Sequence, residues 1–167
     1  MGIDVVVLKN TNMKDWSIIL VKNTKGNILQ VVYWWLIRVF TNSNYNHSQL
    51  VRKLNGRLYI CESEVTGFRV TKPLEQWYLE QETKQRVYLV IDLPNPSITK
   101  FNEVLGNKYD AGYWIYLTKK FSDMKSSNCF QSISYIFGLE KYWIATANTL
   151  LNSYNNLNNK QHDNKDI

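Results

Sequence analysis

Cys129 and His47 are the side chains of this 167-residue chain that together could carry nucleophilic chemistry. A thiol attacks as its thiolate, so it needs a base within hydrogen-bond reach, and the base needs an acceptor on its other nitrogen. Cys129 follows Ser126-Ser127-Asn128, residue types that cap helices, and precedes apolar residues at helical spacing: Phe130, Ile133, Ile136 and Phe137. Gly138 supplies the stop. The spacing predicts a short amphipathic helix with Cys129 in its first turn, where the helix dipole and unpaired N–H groups favour a thiolate. The Cys129 N–H would also suit one donor of an oxyanion hole. Taken alone, such a cysteine is more often a small buried hydrophobe. Its partners decide.

There are two histidines, and His162 falls in a polar C-terminal stretch, so the base must be His47. His47 opens the segment His47 to Leu54, which Asn55-Gly56 joins to Arg57 through Glu62. Asn-Gly is the preferred two-residue hairpin turn. That turn pairs Leu54 with Arg57, sets Gln49 opposite Glu62, and sets His47 opposite Glu64. Either Glu62 or Glu64 could orient the histidine, and the register favours Glu64.

The remaining elements must hold this pair. Trp16 to Lys22 reads as a buried strand, and Ile28 to Phe40 as a helix. Its residues Ile28, Leu29, Val32, Trp35, Leu36, Val39 and Phe40 keep helical spacing, and a core helix is expected; a surface facing substrate or membrane is the alternative. Val65 to Pro73 predicts a turn and a short strand, Leu74 to Glu80 a helical turn or two, and Arg86 to Leu93 a strand. A helix over Ile98 to Leu105, a loop over Lys108 to Gly112 and a helix over Tyr113 to Phe121 follow. A last helix is expected over Thr146 to Tyr154. The pattern predicts an α+β chain with one domain over 1–154 and a disordered polar tail over 155–167.

Composition narrows the function. The chain is 44% hydrophobic, 14% aromatic and 20% charged, as a globular protein is. The net charge of +6 is spread over isolated lysines and arginines, with no basic block, which argues against nucleic acid and leaves peripheral contact with a membrane or cell wall. Cys61 and Cys129 are too few for a disulfide framework or a four-cysteine zinc site, although a single Cys61–Cys129 bond stays open. No cofactor or metal is expected. Neither a signal peptide, a myristoylation signal nor a membrane-spanning run is seen, so the chain is expected to be soluble and cytoplasmic as encoded. Its Asn- and Lys-rich composition suits an AT-rich bacterial or phage genome; in the latter case the chain would be virion-associated or released.

Several motifs in order carry a family likeness. Lys14-Asp15 precedes a strand, Asn46-His47-Ser48 follows a helix, and Cys61-Glu62-Ser63 is followed by Gly67-Phe68 and Pro73-Leu74. Tyr109-Asp110 and Asn128-Cys129 come last. This order resembles the circularly permuted branch of the NlpC/P60 papain-like cysteine hydrolases, over roughly residues 14 to 153. The resemblance implies an antiparallel sheet packed on helices, with the catalytic cysteine on a late helix. It implies Cys129 as nucleophile, His47 as base and Glu62, ahead of Glu64, as third member. It also implies a peptidase or amidase acting on peptidoglycan or related peptides, and points to Tyr45, Gln49, Tyr109 and Asp110 for substrate contact. Lys14 departs from the usual Gly, and Phe130 from the usual polar residue after the cysteine. Asn128-Cys129 is similar also to the Asn-Cys of lecithin:retinol acyltransferase-like enzymes, which act on lipid esters and amides. A non-catalytic binding or virion module that keeps the fold is the third expectation.

Overall fold

In the computed structural model of the chain, residues 12–23, 26–64, 66–84, 87–109, 126–139 and 145–163 are described. Strands β2 (His47–Leu54) and β3 (Arg57–Glu64) form the expected hairpin. Asn55 and Gly56 both take positive φ, 50° and 83°, as the tight turn requires. The observed pairs Leu54↔Arg57 through Gln49↔Glu62 are the ones that this turn dictates.

Around the hairpin lie β1 (Ile18–Lys22), β4 (Gly67–Pro73) and β5 (Val87–Ile91). They complete an antiparallel sheet of order β4-β3-β2-β1-β5. The helices are α1 (Ile28–Thr41), α2 (Leu74–Lys84), α3 (Ile98–Val104), α4 (Cys129–Ile136) and α5 (Ala147–Asp163). The described chain is therefore α+β, as the pattern predicts.

Both faces of the sheet are covered, which is why β1 reads as an unbroken apolar run rather than an alternation. Ile18, Leu20, Leu50, Cys61 and Phe68 meet Phe101 of α3, Phe130, Ile133 and Ile136 of α4, and Leu150 of α5. Ile19, Val21, Val51 and Ile60 meet Met13 and, from α2, Leu74 and Trp77. Strand β1 starts at Ile18 rather than at Trp16, because Trp16 has φ 70°, a turn conformation. The Arg52 guanidinium lies 3.4 Å from the Trp16 ring centroid and pairs with Asp15. Asp15 also accepts from the Lys53 N–H at 2.7 Å, so it ties the start of β1 to β2.

Three local expectations are corrected. The polar stretch after Asn155 is helical as far as Asp163, because Leu150, Leu151, Tyr154 and Leu157 recur on one side of α5 and pack on the core. Lys108 and Tyr109 are not loop but strand β6, paired in parallel with β7 (Ser126–Ser127). A two-residue parallel pair between segments so far apart leaves no local sequence signal. The third is α1. The stripe expected to face the core faces outward: Ile28 is 80%, Leu29 78% and Trp35 54% exposed, while Ile37 and Thr41 are the buried side chains of the helix among the described residues. The helix predicted over Tyr113 to Phe121 lies outside the described residues.

Strand β4 is held beside β6 by a close approach at Gly67. Its φ is +117°, and a Cβ there would stand 2.2 Å from the Asn107 carbonyl oxygen. The neighbouring Phe68 N–H donates to that carbonyl at 2.9 Å. Gly67→Ala is expected to destabilise the fold by about 2–4 kcal/mol, from strain and overpacking together. Urea denaturation would check this, with Gly56→Ala as the comparison; Gly56 shares a positive φ but has nothing within 4 Å of its would-be Cβ.

Candidate active site

Helix α4 presents Cys129 because Asn128 starts it. The Asn128 side chain accepts from the N–H groups of Phe130 and Gln131 at 2.9 and 3.0 Å, and the Gln131 side chain accepts from the Asn128 N–H at 2.9 Å. This reciprocal cap satisfies three backbone donors and fixes the first turn. Phe130, Ile133 and Ile136 are fully buried below it. Asn128 Nδ2 is buried with no hydrogen-bond partner among the described residues. Cys129 is itself 3% exposed, and both cysteines are free thiols, so the Cys61–Cys129 disulfide left open by the sequence is not formed.

His47 stands where β2 begins. Its Nε2 lies 2.8 Å from Glu62 Oε2, and the ring also stands against the Cys129 thiol, for which Nδ1 is the remaining nitrogen. An ionised carboxylate only accepts, so Nε2 carries the proton that faces Glu62. The Ser48 N–H and hydroxyl also lie against the sulfur, and that hydroxyl has no other partner among the described residues. The sheet thus supplies the imidazole and α4 the thiol, and they meet at the start of β2.

Of the two acids it is Glu62 that meets His47, and the turn-derived preference for Glu64 as its partner is corrected. Gln49 is paired with Glu62 in the ladder, so His47 reaches Glu62 diagonally, along the same face of the sheet. Glu64 turns instead to the Arg69 guanidinium. The pair β3–β4 carries a bulge: Ile60 opposes Lys72 and Cys61 opposes Val70, which leaves Thr71 as the extra residue. Its hydroxyl donates to Glu62 Oε1 at 3.1 Å, so the bulge aims Thr71 into the site.

Gln49, expected to touch substrate, lies on the cavity floor with both ends of its amide bonded within the protein. Its Nε2 donates to Glu62 Oε2 at 2.6 Å, while its Oε1 accepts from Trp77 Nε1 at 2.8 Å. Indole N–H only donates, which settles the orientation of the amide. Both ends of Gln49 are used within the protein, and the chain Trp77–Gln49–Glu62–His47 runs from α2 to the thiol. Thr71 and Trp77 were missed by sequence reasoning. Gln49 lying two residues from His47, on the same strand face, was the available hint for this line of contacts.

The charges reinforce one another. Burial opposes ionisation of Glu62, but the His47 hydrogen bond and charge, with the bonds from Gln49 and Thr71, outweigh it and hold the carboxyl at about 2. Burial likewise opposes charge on His47, yet the thiolate and Glu62 push it up to about 10. Burial would raise the Cys129 thiol; the imidazolium, together with the Ser48 contacts, brings it below its ordinary value. Cys61 is the contrast, pushed up to about 12 by burial, with Arg52 opposing and Glu62 and Asp15 adding.

A polar cavity of about 290 Å³ opens on the α2 side of the histidine. His47, Gln49 and Glu62 form its floor, with Lys72 and Glu80, paired at 2.9 Å, on one wall and Tyr33, Trp34 and Ile37 of α1 on another. Tyr45 does not line it; its ring packs against the core, where burial raises its pKa. The Tyr109 backbone belongs to β6, while its side chain and all of Asp110 lie outside the described residues. Among the described residues no group of three or more His, Cys, Asp or Glu is placed to hold a metal ion.

No protein-family model matches the chain, and no curated protein matches it in sequence.

Proposed function

We propose that the chain is a cysteine hydrolase that cleaves an amide through a thioester on Cys129, with a circularly permuted papain-like architecture of the NlpC/P60 kind. The observation that carries this reading is His47 held between the Cys129 thiol and Glu62, with Nε2 2.8 Å from the carboxylate. The chain order His, acid, Cys and the late helix opening on Asn-Cys support it.

In this reading the Cys129 thiolate attacks the carbonyl carbon and the π electrons move to oxygen. The Cys129 N–H and Asn128 Nδ2, a buried donor with no partner among the described residues, are suited to the oxyanion. As the intermediate collapses, the C–N bond breaks and the leaving amine takes the proton from His47 Nδ1. Water then attacks the thioester, giving a proton to His47; the acid leaves and the thiolate–imidazolium pair is restored. Glu62 stays ionised throughout and holds the ring.

A cell-wall peptide is the first substrate class, by resemblance. A lipid ester or amide, as for the acyltransferase-like enzymes, is the second, and the uncovered apolar stripe of α1 favours it. Incubation with muropeptides and, separately, with phospholipid vesicles tests both. Amine release from the muropeptides, lowered about a thousandfold or more in Cys129→Ala, is the expected result. Turnover of phospholipid instead moves the assignment to the second class, and turnover of neither overturns the hydrolase reading.

A further inference from the structure

Helix α1 joins an inner side that serves the site to an outer side with no use inside the protein. Among the described residues, nine large apolar side chains stand exposed, and six of them lie on this helix: Ile28, Leu29, Val32, Trp35, Leu36 and Val39. They follow the spacing i, i+1, i+4, i+7, i+8 and i+11, a single stripe with no polar residue in it. On the other side, Tyr33, Trp34 and Ile37 line the cavity whose floor is His47 and Glu62.

The sequence that runs into and out of the helix is one-sided in charge. Between Asp15 and Glu62 the sequence has no acidic residue and six basic ones: Lys22, Lys25, Arg38, Arg52, Lys53 and Arg57. Arg52 and Arg57 are paired with Asp15 and Glu75. Helix α1 itself carries Arg38 in its last turn and no acid. Two copies packed through α1 would bring like-charged segments together. An anionic surface with an apolar interior complements both the stripe and the charge. The helix has 14 residues, about 21 Å at 1.5 Å per residue, and no described helix is long and apolar enough to cross a membrane.

We propose that α1 docks the protein on an anionic lipid bilayer, lying in the interface with its stripe of Ile28, Leu29, Val32, Trp35, Leu36 and Val39 among the acyl chains. Docked this way, the helix holds the cavity beside His47 close to the membrane. The docking does not rest on the hydrolase reading, and its test has a separate readout.

Co-sedimentation with vesicles of phosphatidylcholine, alone or with about a third phosphatidylserine, decides it. Wild type is expected to bind the anionic vesicles about tenfold or more tightly than the neutral ones, with tryptophan emission moving to the blue. Leu29→Glu with Trp35→Glu is expected to weaken binding at least about tenfold, and the milder Val32→Ser with Val39→Ser about threefold. Far-UV circular dichroism and an unchanged Cys129 alkylation rate would establish that both variants are folded. Absence of binding by wild type, or equal binding by folded variants, overturns the proposal. So does a wild-type dimer that the variants turn into monomers, since a second copy would then cover the stripe.

Discussion

At neutral pH iodoacetamide is expected to alkylate Cys129 and to leave Cys61 essentially unmodified. The two thiols are both buried, at 3% and 0% exposure, so access alone does not separate them by much. Their protonation does. Cys61 ionises at about 12, which leaves on the order of one molecule in 10⁵ as thiolate at pH 7. Cys129 is held below its ordinary value by His47 and Ser48, and the thiolate is the reactive form. In His47→Ala the stabilising charge is gone while the burial remains, so the Cys129 thiol must rise. The alkylation rate at pH 7 should then fall by about tenfold or more, a loss tempered because a more basic thiolate is a better nucleophile. The pH profile gives a second signature. In wild type the thiolate forms below the thiol's ordinary range and the imidazolium beside it persists to about 10, where His47 gives up its proton; in His47→Ala reactivity should climb only as the isolated thiol ionises. Peptide mapping by mass spectrometry over a pH series would measure both. Equal rates at Cys61 and Cys129 would sink the activated-nucleophile reading.

Glu62→Gln is expected to cost about 2–3 kcal/mol of stability at pH 7, and almost nothing near pH 2. The folded carboxyl ionises at about 2 against an ordinary 4.5, which corresponds to roughly 3 kcal/mol at about 1.4 kcal/mol per tenfold change in proton affinity. A depressed carboxyl stabilises the fold fully above its ordinary value, and the contribution is lost as the pH falls through the folded value. Removing the charge therefore matters at pH 7 and ceases to matter once wild-type Glu62 is itself protonated. His47 works in the opposite sense: its raised value gives stability that is complete below 6.5 and lost as the pH rises through about 10. The two shifts describe one coupled pair and do not add. Glu64→Gln is the control. Glu64 pairs with Arg69 at the surface, with side-chain exposures of 39% and 51%, and its loss should cost less than about 1 kcal/mol. Urea denaturation of wild type and both variants at pH 7 and near pH 2 checks the claim. Equal costs for Glu62→Gln and Glu64→Gln at pH 7 would remove Glu62 from the third position. Glu62→Gln should also slow Cys129 alkylation, because a less stabilised imidazolium holds the thiolate less firmly.

Much of this arrangement was legible because it is local. The Asn55-Gly56 turn fixes the register of β2 and β3 without reference to the rest of the chain, and that register brings His47 and an acid to one end of a hairpin. The cap at Asn128 and the spacing of Phe130, Ile133 and Ile136 place Cys129 in the first turn of α4 by the same kind of short-range rule. With His162 in a polar C-terminal stretch, His47 was the one base to consider. These are properties of neighbouring residues, and a sequence states them directly.

What the tertiary structure decided is how such pieces face each other. The turn sets Glu64 opposite His47, but the bond goes diagonally to Glu62, because Gln49 and the bulged Thr71 from two other places hold that carboxylate. Helical spacing identifies α1 and its apolar stripe, yet spacing is the same whether a stripe faces a core or a membrane; with the sheet covered on one face by α4 and α5 and on the other by α2, the stripe stays outside. Cys129 and His47 are likewise 82 positions apart by their numbers, and nothing in either neighbourhood encodes their contact. The sequence by itself determined which thiol and which imidazole could react. Packing of α4 against β2 brings them together, and only there does burial strengthen the charges that favour the Cys129 thiolate.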